Sequence, residues 1–214
     1  MKGGFKVTKN DALKDLKNNV VAVIRIKDTN LARLVTEEII KNGFKFIELT
    51  LSIDNAESLI TELKEKYKDV YIGAGTVLSV DDCQRVIKAN ADFVVSPCMN
   101  ADIIETCISQ DVLCLPGVAT PTEIYNCYNL GSTIVKIFPG ETLGASFIKN
   151  VKGPMPFVEC MPSGGVDLDN ISDWFANGAY AVSVGSALYS GIKEDNLHEI
   201  GERVKAYLNK LPQK

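Results

Sequence analysis

Eight short runs rich in valine, isoleucine and phenylalanine recur along the chain, and a longer amphipathic stretch follows each of them. No other feature restricts the fold as strongly. The runs are VVAVIRI (20–26), FKFIELT (44–50), VYIGAGT (70–76), DFVVS (92–96), VLCLPG (112–117), TIVKIFP (133–139), FVECMP (157–162) and AVSVG (181–185). Short apolar, β-branched runs bounded by turn residues read as buried strands. The segments between them carry helix signals. DTNLARLVTEEIIKNG opens at Asp28 or Thr29 and stops at Gly43, and TPTEIYNCYNLG has Thr120 as its cap, Pro121 in its first turn, Glu123 three residues on and Gly131 at its end. SVDDCQRVIKAN and LDNISDWFANG repeat the pattern. Strands alternating with helices through right-handed crossovers make an α/β fold, and eight such units close most economically into a (β/α)8 TIM barrel. A doubly wound open sheet of eight strands is the alternative. An extra amphipathic helix, roughly residues 8 to 18, precedes the first strand, so residues 1–19 read as an N-terminal helical extension of one barrel domain spanning 1–214.

Composition agrees with a single domain that buries a sizeable core. The 214 residues are 46% hydrophobic and 23% charged, with only 8 prolines, which excludes a disordered or fibrous chain. The net charge, 23 − 27 = −4, offers no general attraction to nucleic acid or an anionic membrane, so neither is an expected partner. Any anion binding must be local. Six cysteines without a C-x-x-C pair read as small buried side chains in a reducing cytosol rather than as a disulfide framework. One histidine, His198, leaves no basis for a histidine-rich zinc site, so no metal is expected. The start of the chain has no apolar signal region and no run is long enough to cross a bilayer, which predicts a cytoplasmic protein.

In a barrel the chemistry lies where the strands end, because the loops that follow them form the active face. Lys136 sits in such a run, with Ile134, Val135, Ile137 and Phe138 around it. A buried, unpaired ammonium is costly, so this lysine either pairs with a carboxylate or sheds its proton and becomes a nucleophile able to form a Schiff base with a ketone. Glu48, between Ile47 and Leu49, is the matching anomaly. If Ile47 and Leu49 face the helices, then Phe46, Glu48 and Thr50 face the barrel axis, where Glu48 approaches Lys136 either as a proton carrier or as a plain ion-pair partner. PSGG (162–165) and VGSAL (184–188) follow the seventh and eighth runs, where barrels build phosphate sites from backbone N–H groups, though glycine there also serves ordinary turns. Thr76 of IGAGT either offers its hydroxyl to a carboxylate or completes a tight turn. Arg25, apolar on both sides in VAVIRI, reads as a buried guanidinium with a fixed anionic partner, either a substrate carboxylate or an internal acid.

Taken in order, VAVIR, IELTL, GAGTV, VSP, PGV-T, VKIFPGE, PSGGV and VGSAL resemble the 2-keto-3-deoxy-6-phosphogluconate / 4-hydroxy-2-oxoglutarate aldolase family over about residues 20 to 190. The resemblance implies a class I pyruvate aldolase on a (β/α)8 barrel, a homotrimer without metal or organic cofactor. It implies that Lys136 is the Schiff-base lysine and Glu48 the general acid/base acting through a water. It implies that Thr76 contacts the pyruvyl group, and that Ser163, Gly164, Gly165, Gly185 and Ser186 hold the phosphate. Pro97 of VSP and Phe138 of KIFPGE join the substrate-binding set in the same way. One departure concerns the carboxylate. Many members have an arginine directly after E-x-T-x, where this chain has Ser52, whereas others carry it in the first strand, as Arg25 does here. The implied reaction cleaves the phosphorylated keto-deoxy sugar acid to pyruvate and glyceraldehyde 3-phosphate, with 4-hydroxy-2-oxoglutarate, which yields glyoxylate, as a second substrate. The competing readings are a non-covalent isomerase or epimerase on a phosphate-binding barrel, and a non-catalytic ligand-binding barrel.

Overall fold

The structure, a computed structural model, describes residues 8–212, so the expected N-terminal extension before Thr8 lies outside the described residues. In chain order the elements are α1 (Lys9–Leu16), β1 (Val20–Ile24), α2 (Thr29–Lys41), β2 (Phe46–Thr50), α3 (Ala56–Lys66), β3 (Tyr71–Gly75), α4 (Val80–Lys88), β4 (Phe93–Val95), α5 (Ala101–Ser109) and β5 (Leu113–Leu115). Then follow β6 (Gly117–Val118), α6 (Pro121–Asn129), β7 (Ile134–Ile137), α7 (Gly140–Leu143), α8 (Ala145–Lys152), β8 (Glu159–Pro162), α9 (Ile171–Ala176), β9 (Val182–Val184), a 3-10 turn (Ser186–Leu188) and α10 (Glu199–Leu208). Every expected run contains a strand, and the expected caps are in place. Asp28 accepts from the Leu31 N–H at 2.7 Å, and Thr120 and Glu123 form a capping box with Pro121 in the first turn.

One run departs from expectation. VLCLPG is two strands, because Pro116 has no N–H to give to a ladder. β5 pairs with β4 before the proline, and β6 pairs with β7 after it. All pairings are parallel, in a six-stranded sheet ordered β5-β4-β3-β2-β1-β9 and a three-stranded sheet ordered β6-β7-β8. The Lys136 N–H donates to Pro116 at one seam (2.8 Å). At the other, Ser163 bridges to Ser183 and the Tyr180 N–H donates to Cys160 (2.8 Å). The sheets thereby close into the expected barrel.

Strand alternation divides the core into two clusters. Val20, Ala22, Ile47, Leu49, Ile72 and their like pack under the helices. Val21, Phe46, Phe93, Val95, Leu113, Leu115, Ile134 and Met161 form a separate cluster with Ala12 and Leu16 of α1. These are the inward-facing positions, and α1 plugs the end of the barrel where the strands begin. Five cysteines are buried and Cys98 is exposed, all of them free. Cys83 and Cys107, distant in sequence, bring their sulfurs to 3.5 Å in the core. Among the described residues, no helix is long and apolar enough to cross a membrane.

Candidate active site

β2 and β7 carry Glu48 and Lys136 one layer above the apolar interior. Phe46 and Ile134 belong to that interior cluster, and each lies two residues before its polar partner on the same strand. Glu48 is 0% exposed and Lys136 4%. Lys136 Nζ lies 3.9 Å from Glu48 Oε1, close enough for charge attraction and too far for a hydrogen bond. Both Glu48 oxygens are buried with no hydrogen-bond partner among the described residues. A carboxylate in that position has its lone pairs free for a proton on a third molecule. The Phe138 ring stands beside the amine, its centroid 5.1 Å from Nζ, within cation–π range.

Gly75 explains how Glu48 is accommodated. A Cβ at this position would lie 2.0 Å from Glu48 Oε1 and 2.6 Å from its carboxyl carbon, so the carboxylate rests directly on glycine backbone. Thr76 follows with φ +62°, a left-handed conformation that strains a β-branched residue by about 1–3 kcal/mol. That turn delivers the Thr76 hydroxyl to Arg25, whose Nη2 donates to it at 3.3 Å.

The guanidinium is not buried as expected. Arg25 is exposed at the mouth, and among the described residues no carboxylate forms an ion pair with it. The strand ends at Ile24, so the apolar neighbours in sequence face the core while residue 25 has already left the wall. Because it reaches across β2 to Thr76 after β3, it leans away from β9 and the loops that follow β8 and β9.

Those two loops lie side by side. Ser163 is buried, its N–H donates to Ile137 (3.0 Å) and its carbonyl accepts from Gly140 (2.8 Å). Gly164 and Gly165 follow at φ +90° and +72°, and the Glu141 side chain packs against Gly165. Gly185 and the exposed Ser186 open the 3-10 turn on the adjacent strand end. Pro97 comes to the same face after β4, its carbonyl group pressed against Gly117, where any Cβ would lie 2.3 Å from the oxygen. Ser52, at the position of the absent arginine, is exposed and tied to Thr50 Oγ1 at 2.8 Å.

A family profile described as KDPG and KHG aldolase matches residues 11–203. The chain belongs to this aldolase family. As a KDPG and KHG aldolase family member it is a lyase. It is 31% identical to the 2-dehydro-3-deoxy-phosphogluconate aldolase of Haemophilus influenzae over 202 residues, which is 93% of this chain and 94% of that one. It superposes with a TM-score of 0.82 on the 2-keto-3-deoxy-6-phosphogluconate aldolase of Zymomonas mobilis ZM4 with 3-phosphoglycerate, at 27% identity, over 92% of this chain and 93% of that one. The KDPG aldolase of Legionella pneumophila, with pyruvate captured as a covalent carbinolamine, shares the fold with a TM-score of 0.82 at 24% identity, over 97% of this chain and 100% of that one.

Two contributors to this aldolase's mouth were not singled out in the sequence. Gly75 had a signal, since a glycine inside a strand marks close approach by another group. Tyr189 had none. It stands just past the VGSAL turn, and its hydroxyl accepts from the Arg25 N–H (3.0 Å) and donates to the Val23 carbonyl (3.1 Å). Burial pushes its phenol above the ordinary value, while the N–H from Arg25 works in the opposite direction.

Proposed function

We propose that this family member is a class I aldolase that cleaves 2-keto-3-deoxy-6-phosphogluconate to pyruvate and glyceraldehyde 3-phosphate, and 4-hydroxy-2-oxoglutarate to pyruvate and glyoxylate. The observation that carries the reading is a buried amine 3.9 Å from a buried carboxylate that no donor among the described residues satisfies. Lys136 Nζ adds to the C2 ketone, and loss of water gives a protonated imine that withdraws electrons from C3. Glu48 takes the C4 hydroxyl proton as the C3–C4 bond breaks, the aldehyde leaves, and a proton returned to C3 of the enamine precedes hydrolysis to pyruvate. Arg25 and Thr76 hold the substrate carboxylate, a role supported by a guanidinium that pairs with no acid among the described residues and is directed away from the glycine loops. Ser163, Gly164, Gly165, Gly185 and Ser186 hold the phosphate, and Pro97 and Phe138 wall the pyruvyl group.

The relatives' names support a phosphorylated substrate, and the side-by-side loops after β8 and β9 supply the backbone N–H groups for it. We place the protein in the cytoplasm as a homotrimer. Exposed Leu78, Tyr125 and Phe157 offer apolar surface for a second copy, and a cage designed from fused symmetric oligomeric domains shares the fold.

Pyruvate release from a panel of phosphorylated and unphosphorylated 2-keto-3-deoxy acids tests the substrate, with inorganic phosphate as competitor. Equal turnover of both kinds, untouched by phosphate, removes the phosphate assignment. Borohydride treatment with pyruvate tests the chemistry, and the absence of a stable adduct hands the barrel to a non-covalent isomerase or epimerase.

A further inference from the structure

We infer that Tyr189 is a positioning residue for substrate carboxylate binding, acting by fixing the main chain from which Arg25 projects; this rests on the carboxylate role proposed for Arg25. The reason lies in how β1 loses its neighbour. β9 pairs with β1 in the register Val20–Val182, Val21–Ser183 and Ala22–Val184, which continued would set Ser186 opposite Ile24. A parallel partner residue in that place would accept from the Arg25 N–H and donate to the Val23 carbonyl. Ser186 instead begins a 3-10 turn, and the ladder stops. Left there, two backbone groups at the edge of the site would lose their partners.

The Tyr189 hydroxyl takes over both bonds. It accepts from the Arg25 N–H at 3.0 Å and donates to the Val23 carbonyl at 3.1 Å, so one phenol oxygen substitutes for the missing strand residue. Its own position is fixed from behind. Leu188 is fully buried, and Arg203 of α10 donates to the carbonyls on either side of the tyrosine, Leu188 at 3.3 Å and Ser190 at 2.8 Å. The series runs from α10 through the 188–190 turn and the phenol to the end of β1, then through the Arg25 guanidinium to Thr76. Val23 is also the register partner of Glu48, so the clamp and the carboxylate share one local frame. The Tyr189 hydroxyl bonds the main chain at Val23 and Arg25. Its contribution is to hold the guanidinium's attachment point while the exposed side chain engages a carboxylate.

The experiment measures borohydride trapping as a function of pyruvate concentration in the parent enzyme, Tyr189→Phe, Arg25→Ala and the double variant, with melting temperature followed in parallel. Phenylalanine keeps the ring and removes only the hydroxyl. Tyr189→Phe should raise the half-saturating pyruvate concentration about three- to tenfold, the worth of a hydrogen bond or two, and leave the trapping rate at saturation nearly unchanged. In the Arg25→Ala background the same substitution should produce no further rise. If Arg25→Ala raises the half-saturating concentration and Tyr189→Phe does not, the inference about Tyr189 is overturned and the carboxylate role stands. A Tyr189 effect that persists at full size without Arg25 also overturns it, since the hydroxyl then acts through general stability. If Arg25→Ala itself changes nothing, the carboxylate role falls and Tyr189 falls with it.

Discussion

The two layers of side chains inside the barrel are built on the same strands and differ in what burial asks of them. Phe46 and Glu48 are neighbours on one face of β2, as Ile134 and Lys136 are on β7, and all four are at most 4% exposed. The lower pair needs nothing beyond contact. It joins Val21, Phe93, Leu113 and Met161 in an apolar layer closed from beneath by Ala12 and Leu16. The upper pair is two ionisable groups that face each other without a hydrogen bond, in a place where leaving polar groups unsatisfied is expensive. The lower layer excludes water from below and so confines access to the mouth. The stability of one layer supports the strain of the next, and Thr76 in its left-handed turn adds to the strained side.

Substitutions on the two layers should therefore separate turnover from stability. The largest effect falls on Lys136→Ala, which should abolish both the borohydride-stable pyruvate adduct and turnover; an adduct that survives assigns the chemistry to another amine. Glu48→Gln keeps the shape and removes the proposed proton carrier, so turnover should fall by about 10² to 10⁴ in steady-state assays. Unchanged turnover would reduce Glu48 to a structural partner. Phe46→Ala, one layer down, should cost about 3–5 kcal/mol in denaturant unfolding while reducing turnover per folded molecule far less than Glu48→Gln does. If it cripples turnover as severely, the layers are not separable.

How much of this was legible from residues alone follows from the range of each interaction. Strand and helix patterns, the helix start at Asp28 or Thr29, the cap at Thr120, and the parity that sets Phe46 and Glu48 on one face depend on neighbours a few positions away, so they are legible locally; that this face is the inner one needed Ile47 and Leu49 under the helices. The pairing of Lys136 with Glu48 needed barrel closure as an assumption, and the geometry supplies it. The burial expected of Arg25 does not hold, because apolar neighbours in sequence say nothing about where a strand stops. The split at Pro116 was foreseeable from its missing N–H, but the change of partner from β4 to β7 is tertiary. Tyr189 was invisible for the same reason, its bonds to Val23 and Arg25 spanning 166 and 164 positions. Cys83 and Cys107 looked scattered only along the chain.

The smallest effect belongs to the plug itself. α1 is tied to the barrel by two phenols, Tyr71 donating to Asp15 Oδ2 at 2.6 Å and Tyr180 donating to the Leu13 carbonyl at 2.9 Å. Burial is the leading cause that raises both above the ordinary tyrosine value, and the Asp15 carboxylate adds to it at Tyr71. The folded protein thus holds these protons more tightly than the unfolded chain does. Their contribution is complete below about pH 10, the unfolded value, and is lost as pH rises from there through the higher folded values. Buried cysteines add their own alkaline loss from about pH 8.5, with Cys127 and Cys160 pushed up to about 12, so only a difference between variants isolates a phenol. Tyr71→Phe should cost about 1 kcal/mol near neutrality, flatten the fall in stability above about pH 10, and leave turnover unaltered, because the site lies at the opposite end of the strands. Denaturant unfolding of parent and variant across an alkaline pH series makes the comparison; parallel slopes would mean that the Tyr71 proton does not couple to the seating of α1.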